Sequence, residues 1–321
     1  MSIKFYLKVF SEFNRRNGFY ATLNYILYLF FRRIKLGSLK LSNFFLKSTR
    51  QHIEKNHAKD ETLLKNFGLK NNYLNAKGLV LATGPSLKNI QRSDQWKGPI
   101  IAINESFYFL QEKDIVADFI ILNDDVYFTK DKYIQFLKDL LECSTHSNMR
   151  LLFPLGHKQQ IDNFINEHKF NPKIYYFYTH LGVQEYQAVY EYDEFDFTKA
   201  LPGFPTVTHV ALCFALYLGF SEVGLLGVDM DYAFNPGSPI THGYDNVMPE
   251  NTRSNLNCLQ EYLLNMNWNY KELLSNTLAQ IELFEIIYKI YQKKNVKIYN
   301  LSKSSFLEVF PRAEMEALCK V

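Results

Sequence analysis

Leu79-Val80-Leu81-Ala82-Thr83-Gly84-Pro85-Ser86-Leu87 decides how this chain is read: an apolar run breaks into a turn of small residues and then into a helix-start signal. Gly84 permits a turn and a close approach to the backbone, and Pro85 suits the first helical position because its missing N–H is not needed there. The open N–H groups and the hydroxyls of Thr83 and Ser86 would then face an anion at a helix N-terminus. The stretch reads either as a phosphate or nucleotide cradle or as an ordinary strand-to-helix turn.

Outward from this first strand (Leu79–Ala82) the pattern alternates. Pro99–Ile103, Ala117–Leu122, Met149–Phe153 and Lys173–Phe177 read as further short apolar strands, with helix-like Lys130–Cys143 among them. A helix is expected from Thr206 to Leu218, a buried strand over Glu222–Gly227, helical periodicity over Asn255–Lys293 and a last strand over Val296–Leu301. This order predicts an α/β fold: a mostly parallel, doubly wound, Rossmann-like sheet, with a short lid and an N-terminal helical segment. Ligands of such sheets bind at the carboxyl ends of the strands. Small polar residues collect there: Thr83–Ser86, then Asn104 and Glu105, then Asn123, Asp124 and Asp125, then Gly227, Asp229, Asp231 and Tyr232. Each asparagine alone suits a turn; the set at successive strand ends marks a binding rim.

With 321 residues, 47% of them hydrophobic, the chain can bury a large core. Residues 1–74 read as a basic, amphipathic helical segment and 75–321 as a nucleotide-binding domain with a lid at about 231–252. The four cysteines, Cys143, Cys213, Cys258 and Cys319, form no CxxC pair, so neither a zinc site nor a disulfide framework is indicated and a reducing cytoplasm fits. The net charge of +3 hides an asymmetry, because residues 1–50 carry +9 and the remainder −6. An apolar Phe19–Phe31 followed by Arg32 and Arg33 looks like an interfacial anchor on the inner face of the cytoplasmic membrane, and equally like helices packed on the main domain. It is shorter than the roughly 20 apolar residues of a span and lacks the order of a signal peptide. Long aliphatic runs between the basic residues speak against nucleic acid as a partner.

Five motifs carry a resemblance. Thr83-Gly-Pro-Ser-Leu-Lys88, Ala102-Ile-Asn104-Glu-Ser-Phe-Tyr-Phe109, Ile121-Leu-Asn123-Asp-Asp125, Ala215-Leu-Tyr-Leu-Gly219-Phe220 and Gly227-Val-Asp229, in this order, are similar to the bacterial sialyltransferases of glycosyltransferase family 42. Val296–Phe306 resembles their closing strand and loop, so the resemblance covers roughly residues 78–310. Flagellin-glycosylation proteins and some transferases of Kdo, another CMP-activated ulosonic acid, share the Gly-Pro-Ser-Leu signature.

The resemblance implies transfer of a sialic acid or related ulosonic acid from a CMP-activated donor to a glycan or glycolipid acceptor, as in lipopolysaccharide or capsule biosynthesis, with no metal and no further cofactor. It assigns Asn104 and Asn123 to the nucleotide and donor sugar, and Thr206 to a hydroxyl at a helix start near the donor. Thr83 stands where the family has a donor-binding asparagine, and Asp231 where it has a tyrosine on the leaving phosphate. A second such tyrosine matches Tyr232, and the lid histidine that serves as general base matches His242, followed by Tyr244. A histidine suits that task at neutral pH, while Asp231 raises the alternative of a nucleophile and a covalent glycosyl intermediate. Asp124-Asp125 and the spacing Asp229-Met-Asp231 are the acidic pairs that could hold Mg²⁺ in transferases of other sugar nucleotides. Two other classes remain open: an enzyme that transfers pyrophosphate to a pterin alcohol, and a non-catalytic partner in glycan assembly.

Overall fold

The computed structural model describes residues 60–90, 96–179, 194–231 and 269–319, the helix at 19–33, and the single positions 11, 14, 48, 49, 53, 242, 243, 245 and 263. Along the chain come α1 (Phe19–Arg33), α2 (Glu61–Leu64), β1 (Lys77–Leu81), β2 (Ile100–Ile103), α3 (Ser106–Glu112), β3 (Phe119–Ile121), α4 (Val126–Thr129) and α5 (Ile134–His146). They are followed by β4 (Arg150–Pro154), α6 (Lys158–His168), β5 (Lys173–Thr179), β6 (Ala200–Leu201), α7 (Val207–Leu218), β7 (Glu222–Leu226), α8 (Tyr270–Lys293), β8 (Lys297–Asn300) and α9 (Met315–Cys319). The strands form one eight-stranded sheet in the order β6-β5-β4-β3-β2-β1-β7-β8, and every pairing is parallel.

Strand residues alternate between two faces, as a pleated strand must. Val80, Ile101, Ile103, Phe119, Ile121 and Leu225 join α7 and α8 in one core, while Leu79, Leu81, Ala102, Ile120, Leu151 and Phe153 meet α3, α5 and α9 in the other. Apolar residues on both faces explain why these strands read as continuous runs rather than alternating ones. The doubly wound α/β fold expected from the sequence is the fold observed.

β6 escaped the sequence reading because two residues beside β5 are too short to carry a pattern. The long C-terminal helix is described from Tyr270, where Asn269 and Glu272 form a reciprocal capping box; most of the expected start from Asn255 lies outside the described residues.

Residues ahead of β1 belong to the same core. Asn66 donates to the Tyr176 and Phe197 carbonyls, its own carbonyl accepts the Tyr217 hydroxyl, and Leu69 is buried with α7. In α1, Ala21 and Tyr25 pack with Ile53, Leu63, Tyr178 and Ala200 at the β5–β6 edge, whereas Phe19, Tyr20 and Leu23 are exposed. Among the described residues no helix is long and apolar enough to cross a membrane.

Candidate functional site

The strand order places the site. The chain builds outward from β1 through β2 to β6 on one side and then returns to add β7 and β8 on the other, so the crevice between the carboxyl ends of β1 and β7 is the topological switch point. The turn after β1 meets the turn after β7 at this position. Ala82 and Gly84 donate to the Leu226 and Gly227 carbonyls at 2.8 and 2.7 Å. Gly227 takes φ +85°, a conformation open chiefly to glycine, and a Cβ there would lie 2.6 Å from the Ala82 oxygen.

Pro85 opens a short 3₁₀ turn, Pro85–Asn89, as its place at the first helical position foretold. The anion that meets this turn is the protein's own: Asp229 Oδ2 accepts the Ser86 N–H at 2.8 Å. The Ser86 hydroxyl pairs with the Ser302 hydroxyl at 2.7 Å, and Ser302 Oγ accepts the Gly227 N–H. Ser86 is therefore committed to the fold instead of lying open to a ligand. Asp229 is buried, and burial raises its pKa; the Ser86 hydrogen bonds oppose this and the charge of Asp231 adds to it. Its second oxygen, Oδ1, is buried without a hydrogen-bond partner among the described residues. Such an acceptor is costly to leave unmet.

On the next two strands Asn104 and Asp124 come together. Asn104 ends β2 with φ +50°, which asparagine tolerates better than most residues, and donates its N–H to Ile121. Its side chain hydrogen-bonds Asp124, and its own Oδ1 is a second buried acceptor without a partner among the described residues. Asp124 is accessible at its surface yet ringed by protein; the crowding raises its pKa, and so does Asp125. Asn123 is half-buried between them and β3.

Glu105 was not singled out as a site residue, although the Asn-Glu pair at a strand end was its signal. It is 5% exposed. Burial holds its pKa above the usual carboxylate range, against the Tyr127 hydroxyl that donates to it at 2.6 Å and the charge of His242. That influence puts His242 near the end of β2. Gly243 donates its N–H to the Thr83 carbonyl at 2.9 Å and packs so closely on Leu87 that a Cβ would come within 2.7 Å. The His242–Gly243 step thus rests on the β1 turn. Asp245, also missed, accepts the His242 backbone N–H at 2.5 Å.

The remaining positions divide. Asp231 is half-buried beside Asp229. Thr206 does precede α7, but its hydroxyl meets His209 Nδ1 at 3.1 Å. His209 is fully buried, its Nε2–H donates to the Gln280 carbonyl, and burial pushes its pKa down to about 3, so it is a neutral core histidine. His157 is buried at the end of β4, 2.6 Å from Asp125 and stacked on Phe128. Tyr232, Tyr244 and most of the expected lid lie outside the described residues. Among those described, no cluster of three or more His, Cys, Asp or Glu is arranged to hold a metal ion.

A protein-family model described as 6-hydroxymethylpterin diphosphokinase MptE-like matches residues 47–235, more than half of the chain. The chain belongs to the MptE-like family. That match takes in the turns after β1, β2, β3 and β7, and so most of the rim of this MptE-like protein, while His242 and Asp245 fall beyond it. Solved structures similar to the chain include the sialyltransferase CstII from Campylobacter jejuni in complex with the substrate analogue CMP-3FNeuAc, at 17% identity and a TM-score of 0.40, covering 74% of this chain and 85% of that one. The apo α-2,3-sialyltransferase from Campylobacter jejuni is similar at 18% identity and a TM-score of 0.37, over 76% and 84% of the two chains. The MAf glycosyltransferase from Magnetospirillum magneticum AMB-1 is similar at 15% identity and a TM-score of 0.45 over 84% of this chain, but only 42% of that longer one. The sialyltransferases named by the motif resemblance are thus among the solved structures similar to this MptE-like chain. No curated protein sequence matches it.

Proposed function

We propose that the rim binds a nucleotide and that the protein is a glycosyltransferase, moving a sialic acid or related Kdo-like ulosonic acid from a CMP-activated donor to a cell-surface glycan. One observation carries the reading: the His242–Gly243 step is held against the β1 turn at the switch point, within reach of Glu105 at the end of β2, on the rim where Asn104 and Asn123 follow β2 and β3. Transfer to a hydroxyl acceptor needs a base for its proton, and histidine serves near neutral pH. The asparagines offer both donors and acceptors for a nucleotide. Asp124, Asp229 and Asp231 line the same rim, and a CMP ester brings fewer negative charges beside them than a triphosphate does.

The family description favours a second reading, diphosphate transfer to a pterin alcohol, in which the same base would act on the alcohol. A binding panel separates the two. CMP is expected to bind the wild-type protein without ATP; ATP binding without CMP binding would favour the pterin reaction, and silence toward both would favour a non-catalytic partner. Asn104→Ala and Asn123→Ala should each weaken CMP binding by ~1 kcal/mol, the worth of one hydrogen bond. Calorimetry showing unchanged affinity in both variants would move the nucleotide elsewhere.

The reading extends to residues 1–74 as a segment that docks the enzyme on anionic lipid at the inner face of the cytoplasmic membrane. Its support is the +9 charge of residues 1–50 beside the exposed Phe19, Tyr20 and Leu23 of α1. Reversing Arg32 and Arg33 to glutamate in the full chain should weaken co-sedimentation with phosphatidylserine-containing vesicles by at least ~2 kcal/mol, at ~1 kcal/mol per basic residue. Added salt should act in the same direction. Equal binding to neutral vesicles at high salt would reject the electrostatic part.

A further inference from the structure

Asp245 lies outside the strand-end pattern, and it meets His242 twice. Its Oδ2 accepts the His242 backbone N–H at 2.5 Å, and its Oδ1 lies 3.3 Å from His242 Nδ1. A carboxylate only accepts, so the ring nitrogen facing it must carry the hydrogen. The neutral ring is then the Nδ1–H tautomer, and Nε2 keeps its lone pair.

We propose that Asp245 is the positioning residue of the base: it fixes the His242 tautomer and stabilises the imidazolium formed when Nε2 takes a proton from the acceptor hydroxyl. This deepens the reading of His242 as the base and rests on it. In that step the hydroxyl proton moves to Nε2, and the oxygen's electron pair forms the bond to the anomeric carbon of the donor. The bond from that carbon to the phosphate oxygen breaks, and its electron pair leaves with CMP. An aspartate behind the histidine supports such a proton transfer without taking the proton itself.

The surroundings fit this role. Burial works against the Asp245 charge, but the hydrogen bonds from His242, the His242 charge and Lys88 together hold its pKa below the usual carboxylate range. Asp245 is therefore a charged partner wherever histidine titrates. Glu105, at the end of β2, is close enough for the His242 charge to act on it, so a second acid lies in the neighbourhood of the pair. Between His242 and Asp245, the Gly243 N–H is fixed to the Thr83 carbonyl, which ties the pair to the rigid β1 turn.

The test uses the full-length protein and two readouts. In ¹⁵N spectra the wild-type His242 ring should be protonated at Nδ1 in its neutral form. In Asp245→Asn the side-chain amide can donate to Nδ1, and the ring should shift to the Nε2–H tautomer. With CMP-N-acetylneuraminic acid as the probe, the same variant should lose about 10–10²-fold in kcat with little change in KM, less than in a fully buried triad because the pair is part-exposed. Asp245→Glu should recover part of both. A folded Asp245→Asn protein with the wild-type tautomer would overturn the proposal, as would a kcat unchanged in both variants. A wild-type protein inert toward CMP-activated donors would instead sink the transferase reading, and the tautomer would still report on the pairing.

Discussion

With His242 as the proposed general base, His242→Ala should lower kcat by roughly 10²–10⁴-fold, while CMP affinity should stay close to that of the wild-type protein. The separation follows from geometry. His242 reaches the rim on a segment that touches the Thr83 carbonyl through Gly243, whereas the proposed nucleotide contacts come from β2 and β3. Removing the imidazole leaves Asn104 and Asn123 in place. Stopped assays of donor hydrolysis and transfer, with calorimetry of CMP binding, measure the two quantities independently. A parallel fall in both would mean that His242 binds the nucleotide instead of moving a proton. The same assay distinguishes the role of Asp231. If the base alone activates the acceptor, attack is direct and the product is inverted at the anomeric carbon. If Asp231 attacks first, a donor-derived mass appears on the protein, Asp231→Asn is inactive and configuration is retained. Asp231 sits against Asp229, whose pKa is already raised by burial and by this neighbour. A histidine fixed at the β1 turn with a carboxylate behind its ring favours direct attack by the acceptor. Inversion is the expected result, and the product's anomeric configuration by NMR decides it.

The fold was legible because a parallel sheet buried on both faces writes itself as runs such as Leu79–Ala82 and Ala117–Leu122, and because Pro85 and Gly227 mark the turns that follow β1 and β7. The rim was legible for the same reason, since its residues stand where those runs stop. What the runs do not carry is direction. The hydroxyls and N–H groups of the β1 turn suggested an open anion cradle, yet a buried carboxylate from β7, more than a hundred residues later, closes on Ser86. Thr206 precedes its helix as expected, but its hydroxyl turns to His209, a contact set by the packing of α7 on α8. Glu105 and Asp245 were passed over because their roles come from neighbours distant in sequence or from a loop without periodicity. A buried acid has no signature in a single sequence; it becomes visible only when Tyr127 and His242 are found around it.

Gly84→Ala should destabilise the protein by about 3 kcal/mol, the sum of a modest overpacking strain and one lost hydrogen bond to a charged group. The reason is space and not conformation. Gly84 has φ −67°, which any residue can adopt, so its backbone does not demand glycine. A Cβ at this position would sit 2.3 Å from Asp229 Oδ2 and 2.6 Å from the Gly227 carbonyl oxygen. The carboxylate can swing aside only by releasing the buried Ser86 N–H, and the carbonyl can move only by parting β1 from β7, because it accepts the Gly84 N–H. Against a total stability of about 5–15 kcal/mol for a typical domain, that loss is large enough to lower the urea midpoint clearly. Asp229→Ala removes the nearer of the two obstacles, so Gly84→Ala should cost less in that background than alone, and the double-mutant cycle measures the coupling. Additive losses would show that the Gly227 carbonyl is the real obstacle. Because Gly243 rests on the neighbouring Thr83 carbonyl, a displaced turn also carries His242 away from the rim, and the fraction that remains folded should lose kcat as well as stability.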